Sequence, residues 1–299
     1  MALGVGGRSA SARREALWGY LMIAPMVIGL GVFFYLALGA SFVISLTEWD
    51  VLTAPVWVGF NNYLELFATP TFRRALLNTT YYTLLSVPVG VAVSLVLAVA
   101  LDTNLRFRNV YRLVFFLPVL TMPVAIGVVW NWIYNPDFGL LNQVLGLVGA
   151  PRIKWLTDPS FAMPSLVLLS VWQGSGYGMI IFLAGLQNIP KEFYEAAHID
   201  GATGLSRFRY VTLPLLSPTL FFVAVTSLIS AFQVFDVVYA MTAGRASDTL
   251  RTVVYLIYEE GFRYFRMGQA TATAWVLFAI ILAVTAVQLR LQRRWVHYE

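Results

Sequence analysis

Few side chains in this 299-residue chain could carry out bond chemistry, and their spacing limits them further. The only histidines, His198 and His297, stand far apart, so a two-histidine metal motif on one helix cannot form. Cysteine is absent, which removes thiolate nucleophiles, disulfides and Cys-ligated metals. Neither lysine, Lys154 or Lys191, follows a glycine, so there is no G-x-x-x-x-G-K-[ST] phosphate loop and no Walker-type ATP site in the chain itself. No G-x-S-x-G nucleophile elbow occurs. Glu259-Glu260 is the one adjacent acidic pair, and a membrane enzyme acting on lipid-linked substrates would have to use it. Asp236 lies in the apolar run ISAFQVFDVVYAMT. An acid at membrane depth is costly, so it is expected to face a polar path, to be wet, or to pair with Arg245 or Arg251. An ion- or proton-coupled carrier would be built on it.

The other polar groups form stripes. Gln233 precedes Asp236 by three residues and is expected on the same helix face, with Ser227 and Ser230 continuing that side. Ser170, Gln173 and Tyr177 recur at helical spacing beside Gly174, Gly176 and Gly178. Single serines in membrane helices often only bond their own backbone. Two such stripes can also converge on one hydroxyl- and amide-rich pocket, where hydroxyls and amides suit sugar hydroxyls and aromatic rings stack on sugar faces. The glycines permit close helix packing or local unwinding; Pro118, Pro123, Pro214 and Pro218 are expected to kink their helices.

What positions these groups is set by composition. Apolar residues make up 59% and charged residues 12%, and mean hydropathy is +0.72. A soluble domain carries about twice that charge, so this chain could not cover a water-facing surface. Six stretches can cross about 30 Å of hydrocarbon as helices: 17–46, 75–101, 110–134, 161–186, 213–241 and 270–289. Residues 1–16 and 290–299 remain as tails and 17–289 as one transmembrane domain. The first stretch is too long for a signal-peptide core and reads as a retained, tilted or protruding helix. Six spans place both termini on one side. Segments 1–16, 102–112, 187–212 and 290–299 hold 12 Lys/Arg in 63 residues, against 8 in 82 for the other loops. That bias predicts both ends in the cytoplasm. Trp18, Trp49, Trp57, Trp130, Trp132, Trp155 and Trp295 crowd the boundaries as interfacial anchors should.

The longest cytoplasmic loop, LQNIPKEFYEAAHIDGATGLSRFRYVTLP over 186–214, has its own helix punctuation. Asn188 can cap, Pro190 suits an early helical position, and Lys191–His198 reads as a short helix. Asp200-Gly201 breaks it, and Thr203 can cap a second helix to Tyr210. Phe193, Ala196, Ala197 and Ile199, set among Glu192, Glu195, Asp200, Lys191, Arg207 and Arg209, suit a docking knob better than a lipid anchor, which would be more basic.

The same segment carries a resemblance. Glu195-Ala196-Ala197, three residues, Gly201, nine residues, Val211, one residue, Leu213-Pro214 keeps the full spacing of the EAA signature in membrane subunits of bacterial ATP-binding-cassette importers. The chain resembles the MalF/UgpA-type permeases of carbohydrate-uptake importers over most of its length, including GYLMIAPMVIGLGVFFYLALGASFVISLTEWD, GFNNYLELF, YRLVFFLPVLTMPVAIGVVWNWIYNPDFGLLNQ and the terminal RRWVHYE. It departs at Met241-Thr242-Ala243-Gly244-Arg245-Ala246, where the family often has M-T-x-G-G-P. The resemblance implies an all-α membrane protein with the type I importer permease fold: six transmembrane helices and a cytoplasmic coupling helix between the fourth and fifth. It implies a bacterial inner-membrane location and a non-catalytic transport role. Glu195 would anchor by charge, Ala196 and Ala197 would allow close approach, Asp200 and Gly201 would turn the chain, and Leu213-Pro214 would open the fifth span. The implied partners are a second homologous permease, two ATPase subunits that bind ATP and Mg, an external solute-binding protein and the lipid bilayer. No cofactor is expected on this chain and no nucleic acid as partner. The implied solute is a sugar, sugar derivative, polyol or glycerol phosphate. By alignment, Ser170, Gln173, Gly174, Tyr177 and Ser227 fall at pocket-facing positions of related maltose permeases; Gln233 and Asp236 extend that path.

Overall fold

The computed structural model describes residues 10–103 and 106–294. Arg8, Trp295, His297 and the outer parts of both tails lie outside the described residues. Among those described, four helices are long and apolar enough to cross a membrane: Ala12–Ser45, Pro70–Leu101, Pro159–Gln187 and Met267–Leu291. Two bent pairs, Arg108–Leu120 with Pro123–Ile133 and Gly204–Leu215 with Ser217–Phe232, bring the count to six if each pair is one span. The first long helix starts within the stretch expected as a tail, and it passes through a π-helical segment, Gly31–Leu36. Its most apolar window is wholly unburied, whereas half of the corresponding window of Pro159–Gln187 is buried. The latter is therefore the axis of the bundle.

The breaks follow from local chemistry. Pro123 forces Met122 into extended backbone (ψ 128°), and Thr121 is extended too (ψ 139°), so the helix ends and restarts 97° away. The expected single span 110–134 is thus two helices. Pro118 stays inside the first of them. Leu216 and Pro218 mark the second bend, of 69°. The glycines of the fourth span do not unwind it. A Cβ at Gly176 would sit 2.2 Å from the Phe115 carbonyl oxygen, and one at Gly178 would sit 2.6 Å from Ser94 Oγ. They let the neighbouring helices touch, which is how small residues serve helix contacts where water supplies no driving force.

At the end opposite residues 187–212, a two-stranded hairpin (Thr47–Glu48 with Val56–Trp57) locks onto the last span. Asn62 is buried and donates to the Ser45 and Thr47 carbonyls at 2.8 and 2.9 Å. Gly268 fits beneath them; a Cβ there would lie 1.9 Å from the Thr47 oxygen. Because that oxygen is already held by Asn62, Gly268→Ala must displace the hairpin, at a cost of about 1–3 kcal/mol. A lower melting temperature for the detergent-solubilised protein is the expected result, and an unchanged one would contradict the packing.

Candidate functional site

The loop expected as a knob is one. Pro159–Gln187 ends at Asn188, which closes that helix rather than opening the next. Pro190 takes the N-cap position of Lys191–Ile199. That helix stops in a Schellman turn: Gly201 N–H donates to the His198 carbonyl at 3.1 Å and Ala202 N–H to the Ala197 carbonyl at 2.8 Å. Gly201 sits at φ +78°, a left-handed conformation that costs an L side chain dearly, and no atom lies within 4 Å of where its side chain would be. Thr203 occupies the N-cap position of the second helix in extended backbone but forms no side-chain cap. Glu195, Ala196, Asp200 and Gly201 are exposed, while Ala197 turns inward and is buried. Ala197 therefore packs its own chain, not a neighbour. Leu213 and Pro214 are half-buried just before the bend. Beside the knob a cavity of about 330 Å³ is bounded by Asp102, Tyr194, Arg207 and Thr212 among others. Burial lifts the Asp102 carboxyl above its ordinary range, against the pull of Arg108 and Arg112.

The second site is a cavity of about 350 Å³ between the Pro70–Leu101, Pro159–Gln187 and Ser217–Phe232 helices. Nine of its fifteen lining residues carry a hydroxyl: Tyr82, Ser86, Ser94, Ser170, Ser175, Tyr177, Thr226, Ser227 and Ser230; none is charged. Ser94 donates to the Ser175 carbonyl at 3.0 Å, and Thr226 bonds its own helix. Ser86 and Ser170 are different. Both approach the Tyr82 phenol, yet their Oγ atoms are sealed from water and complete no well-formed hydrogen bond. A buried hydroxyl without a good partner is costly, so a side-chain turn that brings either serine to the cavity and a polar solute would be favoured.

Of the residues expected on the path, Ser170, Gly174, Tyr177 and Ser227 line this cavity; Gln173, Gln233 and Asp236 do not. Gln173 lies about 60° round the helix from Ser170, at the edge of the stripe, at about 100° per residue. Gln233 and Asp236 miss for a stronger reason. The helix ends at Phe232, and a new one, Asp236–Met241, begins after three non-helical residues, so the two side chains do not share a face. The freed Val234 carbonyl accepts from Thr252 Oγ1 at 3.0 Å, a partner far along the chain. Both Gln233 and Asp236 are exposed, and Arg251 is engaged with Asp248 and Glu259 instead. Sequence reasoning missed Tyr82, Ser86 and Ser94. Their signal was present: Tyr82, Ser86, Gly90 and Ser94 recur every four residues along one face of a span otherwise read as plain apolar helix.

The acidic pair is structural. Glu259 is buried and receives Arg251 Nε at 2.7 Å and Arg263 Nη1 at 3.2 Å. Glu260 pairs with Arg266 at 3.7 Å; burial lifts its carboxyl above the ordinary range, Arg266 opposes that and Glu259 adds to it. Among the described residues no group of three or more His, Asp or Glu is placed to hold a metal.

Comparison with known proteins agrees with this geometry. Residues 64–297 match the family model described as binding-protein-dependent transport system inner membrane component. The probable ABC transporter permease protein YesP of Bacillus subtilis is 39% identical over 297 residues, 98% of this chain and 96% of that protein. The arabinooligosaccharides transport system permease protein AraP of the same organism is 36% identical over 276 residues, 91% of this chain and 87% of AraP. A bacterial alginate ABC transporter, solved in complex with an alginate pentasaccharide-bound periplasmic protein, has the same fold: TM-score 0.84 at 23% identity, covering 96% of this chain and 98% of that one. With a family model matched over residues 64–297 and relatives of 36–39% identity over nearly the whole chain, the chain belongs to the inner-membrane permeases of binding-protein-dependent ABC transport systems.

Proposed function

We propose that this chain is one of two homologous permease subunits in an ATP-driven importer for an uncharged sugar or sugar derivative. It crosses the membrane six times with both termini in the cytoplasm, the pair Arg108–Leu120 and Pro123–Ile133 counting as span three and Ser217–Phe232 carrying span five. Residues 187–212 face the cytoplasm, where two ATPase subunits carrying ATP and Mg hold the knob through Glu195 and the turn at Asp200-Gly201. An external solute-binding protein delivers solute at the opposite face.

One observation carries the reading. The two helices that supply Ser170, Tyr177, Ser227 and Ser230 to the cavity are the pair joined by residues 188–216. Their junction is tight, since a Cβ at Gly185 would lie 2.6 Å from Thr219 Oγ1 and 2.8 Å from a Leu216 methyl. A push on the knob therefore moves two cavity walls together. The permease needs only different contacts in its two states, not chemistry of its own. The ion-coupled alternative required an acid inside a span, and Asp236 stands exposed beyond the helix break.

The charge-free lining favours a neutral polyhydroxyl solute over glycerol phosphate or a uronate, because an anion would lose its water without gaining a cation. The test is uptake by the complete importer in proteoliposomes, with arabino-oligosaccharides and glycerol 3-phosphate as competing probes. ATP-dependent uptake of the former, unaffected by the latter and by a protonophore, is expected. Preferred uptake of the phosphate would overturn the assignment of solute class. Uptake without ATP would overturn the importer reading.

A further inference from the structure

The knob is two short arms, Lys191–Ile199 and the helical run from Gly204, joined at Gly201. The turn alone does not fix their angle: it is exposed, and nothing packs within 4 Å of the Gly201 side-chain position. A second attachment lies further back. The guanidinium carbon of Arg207, on the second arm, stands 5.8 Å from the centre of the Tyr194 ring on the first. Thr212 Oγ1, where the second arm approaches the 69° bend, donates to the Tyr194 hydroxyl at 3.4 Å, which is long and weak. The Tyr194 ring also packs on the cluster that includes Leu186, the end of the fourth span, and Leu216, the bend itself. Tyr194 and Arg207 also border a cavity of about 330 Å³ between the arms and the end of the Pro70–Leu101 helix.

We propose that Tyr194 is a positioning residue, the strut that makes the two arms one rigid lever and passes its movement to the bend between Leu215 and Ser217. The proposal rests on the coupling role given to the knob above. Two points of attachment, the Gly201 turn and the Tyr194 ring, fix the angle that one would leave free. The ring, rather than its hydroxyl, is the working part, because the cation over its face and the core beneath it both need the ring, whereas the hydroxyl offers only the long bond to Thr212.

The experiment uses the complete importer in proteoliposomes and reads uptake per ATP hydrolysed, with co-purification of the ATPase subunits as the check on assembly. Arg207→Gln is expected to lower uptake per ATP roughly two- to five-fold, the size of one exposed cation–aromatic contact, and Tyr194→Leu to lower it further. Arg207→Lys and Tyr194→Phe keep the cation and the ring and should stay within about twofold of the parent. Arg207 is exposed, so its variants report even if Tyr194→Leu fails to assemble. Unchanged coupling in Arg207→Gln would overturn the strut. So would an equal fall in all four variants, which a merely structural role predicts. Glu195→Lys is run alongside. If it too couples normally, the coupling role of the knob fails; if it alone uncouples, only the strut does.

Discussion

Reversing the charge at Glu195 should abolish ATP-driven uptake while leaving the permease folded in the membrane. Glu195 is exposed on the Lys191–Ile199 helix, so its own fold loses nothing when Lys replaces it. On the proposed function, the cost falls on the contact with the ATPase. Breaking one charged partner in a desolvated protein interface typically costs about 2–5 kcal/mol, which is at least about 30-fold in affinity. Gly201 tests the same contact by a different route. Its φ of +78° costs an L residue about 1–2 kcal/mol, and a β-branched one more. Since nothing lies within 4 Å of the side-chain position, that strain is conformational and not a clash. Gly201→Val should therefore uncouple, and Gly201→Asn, which tolerates the left-handed region, should recover much of the loss. Co-purification of ATPase subunits, together with uptake per ATP, measures both. Normal coupling in Glu195→Lys and Gly201→Val would remove the knob from the mechanism. Equal damage from Val and Asn would mean that bulk matters there rather than backbone angle.

The knob could be anticipated because its determinants are local. Asp200-Gly201 favours a helix end, and the result is the Schellman turn found there. The departure at Arg245 from the M-T-x-G-G-P pattern of the resembling family is readable in the same terms. The backbone needs left-handed residues at Ala243 (φ +50°) and Gly244 (φ +71°) but not at 245, so the position where relatives often have a second glycine accepts arginine. The four long helices were legible because twenty apolar residues admit little else in a membrane. What hydropathy could not convey was direction. Pro123 marks a break, but the 97° that follows depends on how Gly127 nests against Ala240, where a Cβ would lie 2.5 Å away. The break at Gln233–Phe235 has neither proline nor glycine to announce it. Thr252 holds it open by taking the Val234 carbonyl, and that pairing exists only once the chain is folded. The break also explains why Asp236 is exposed, the wet alternative expected for it, and why it does not share a face with Gln233. Of the three residues that the signature names, the helix turns Ala197 inward, a direction that the signature alone does not give.

Filling the cavity should stop transport without unfolding the protein, and emptying it of single hydroxyls should weaken transport in steps. Ser170 sits where the Pro70–Leu101 and Pro159–Gln187 helices face each other across a space of about 350 Å³. A Trp in its place would occupy much of that space with an apolar ring and shed the hydroxyl. The cavity gives part of that ring somewhere to go, so the strain is smaller than for a large side chain forced into a filled core. Uptake by Ser170→Trp is expected to fall more than about tenfold, the direct cost of losing both room and hydrogen bonds. The complex should still assemble. Ser86→Ala and Ser170→Ala ask a finer question. Their Oγ atoms make no well-formed bond within the protein, so folding should change little or improve. Each lost bond to a solute hydroxyl is worth about 0.5–1.5 kcal/mol, a rise in the half-saturating concentration of roughly two- to tenfold. The two effects should be nearly independent of thermal stability, which distinguishes a binding role from a packing one. A pair of alanine variants that transport normally would show that solute passes without touching this wall. A pair that melts lower and transports less in proportion would show that the two serines hold the helices together rather than the solute.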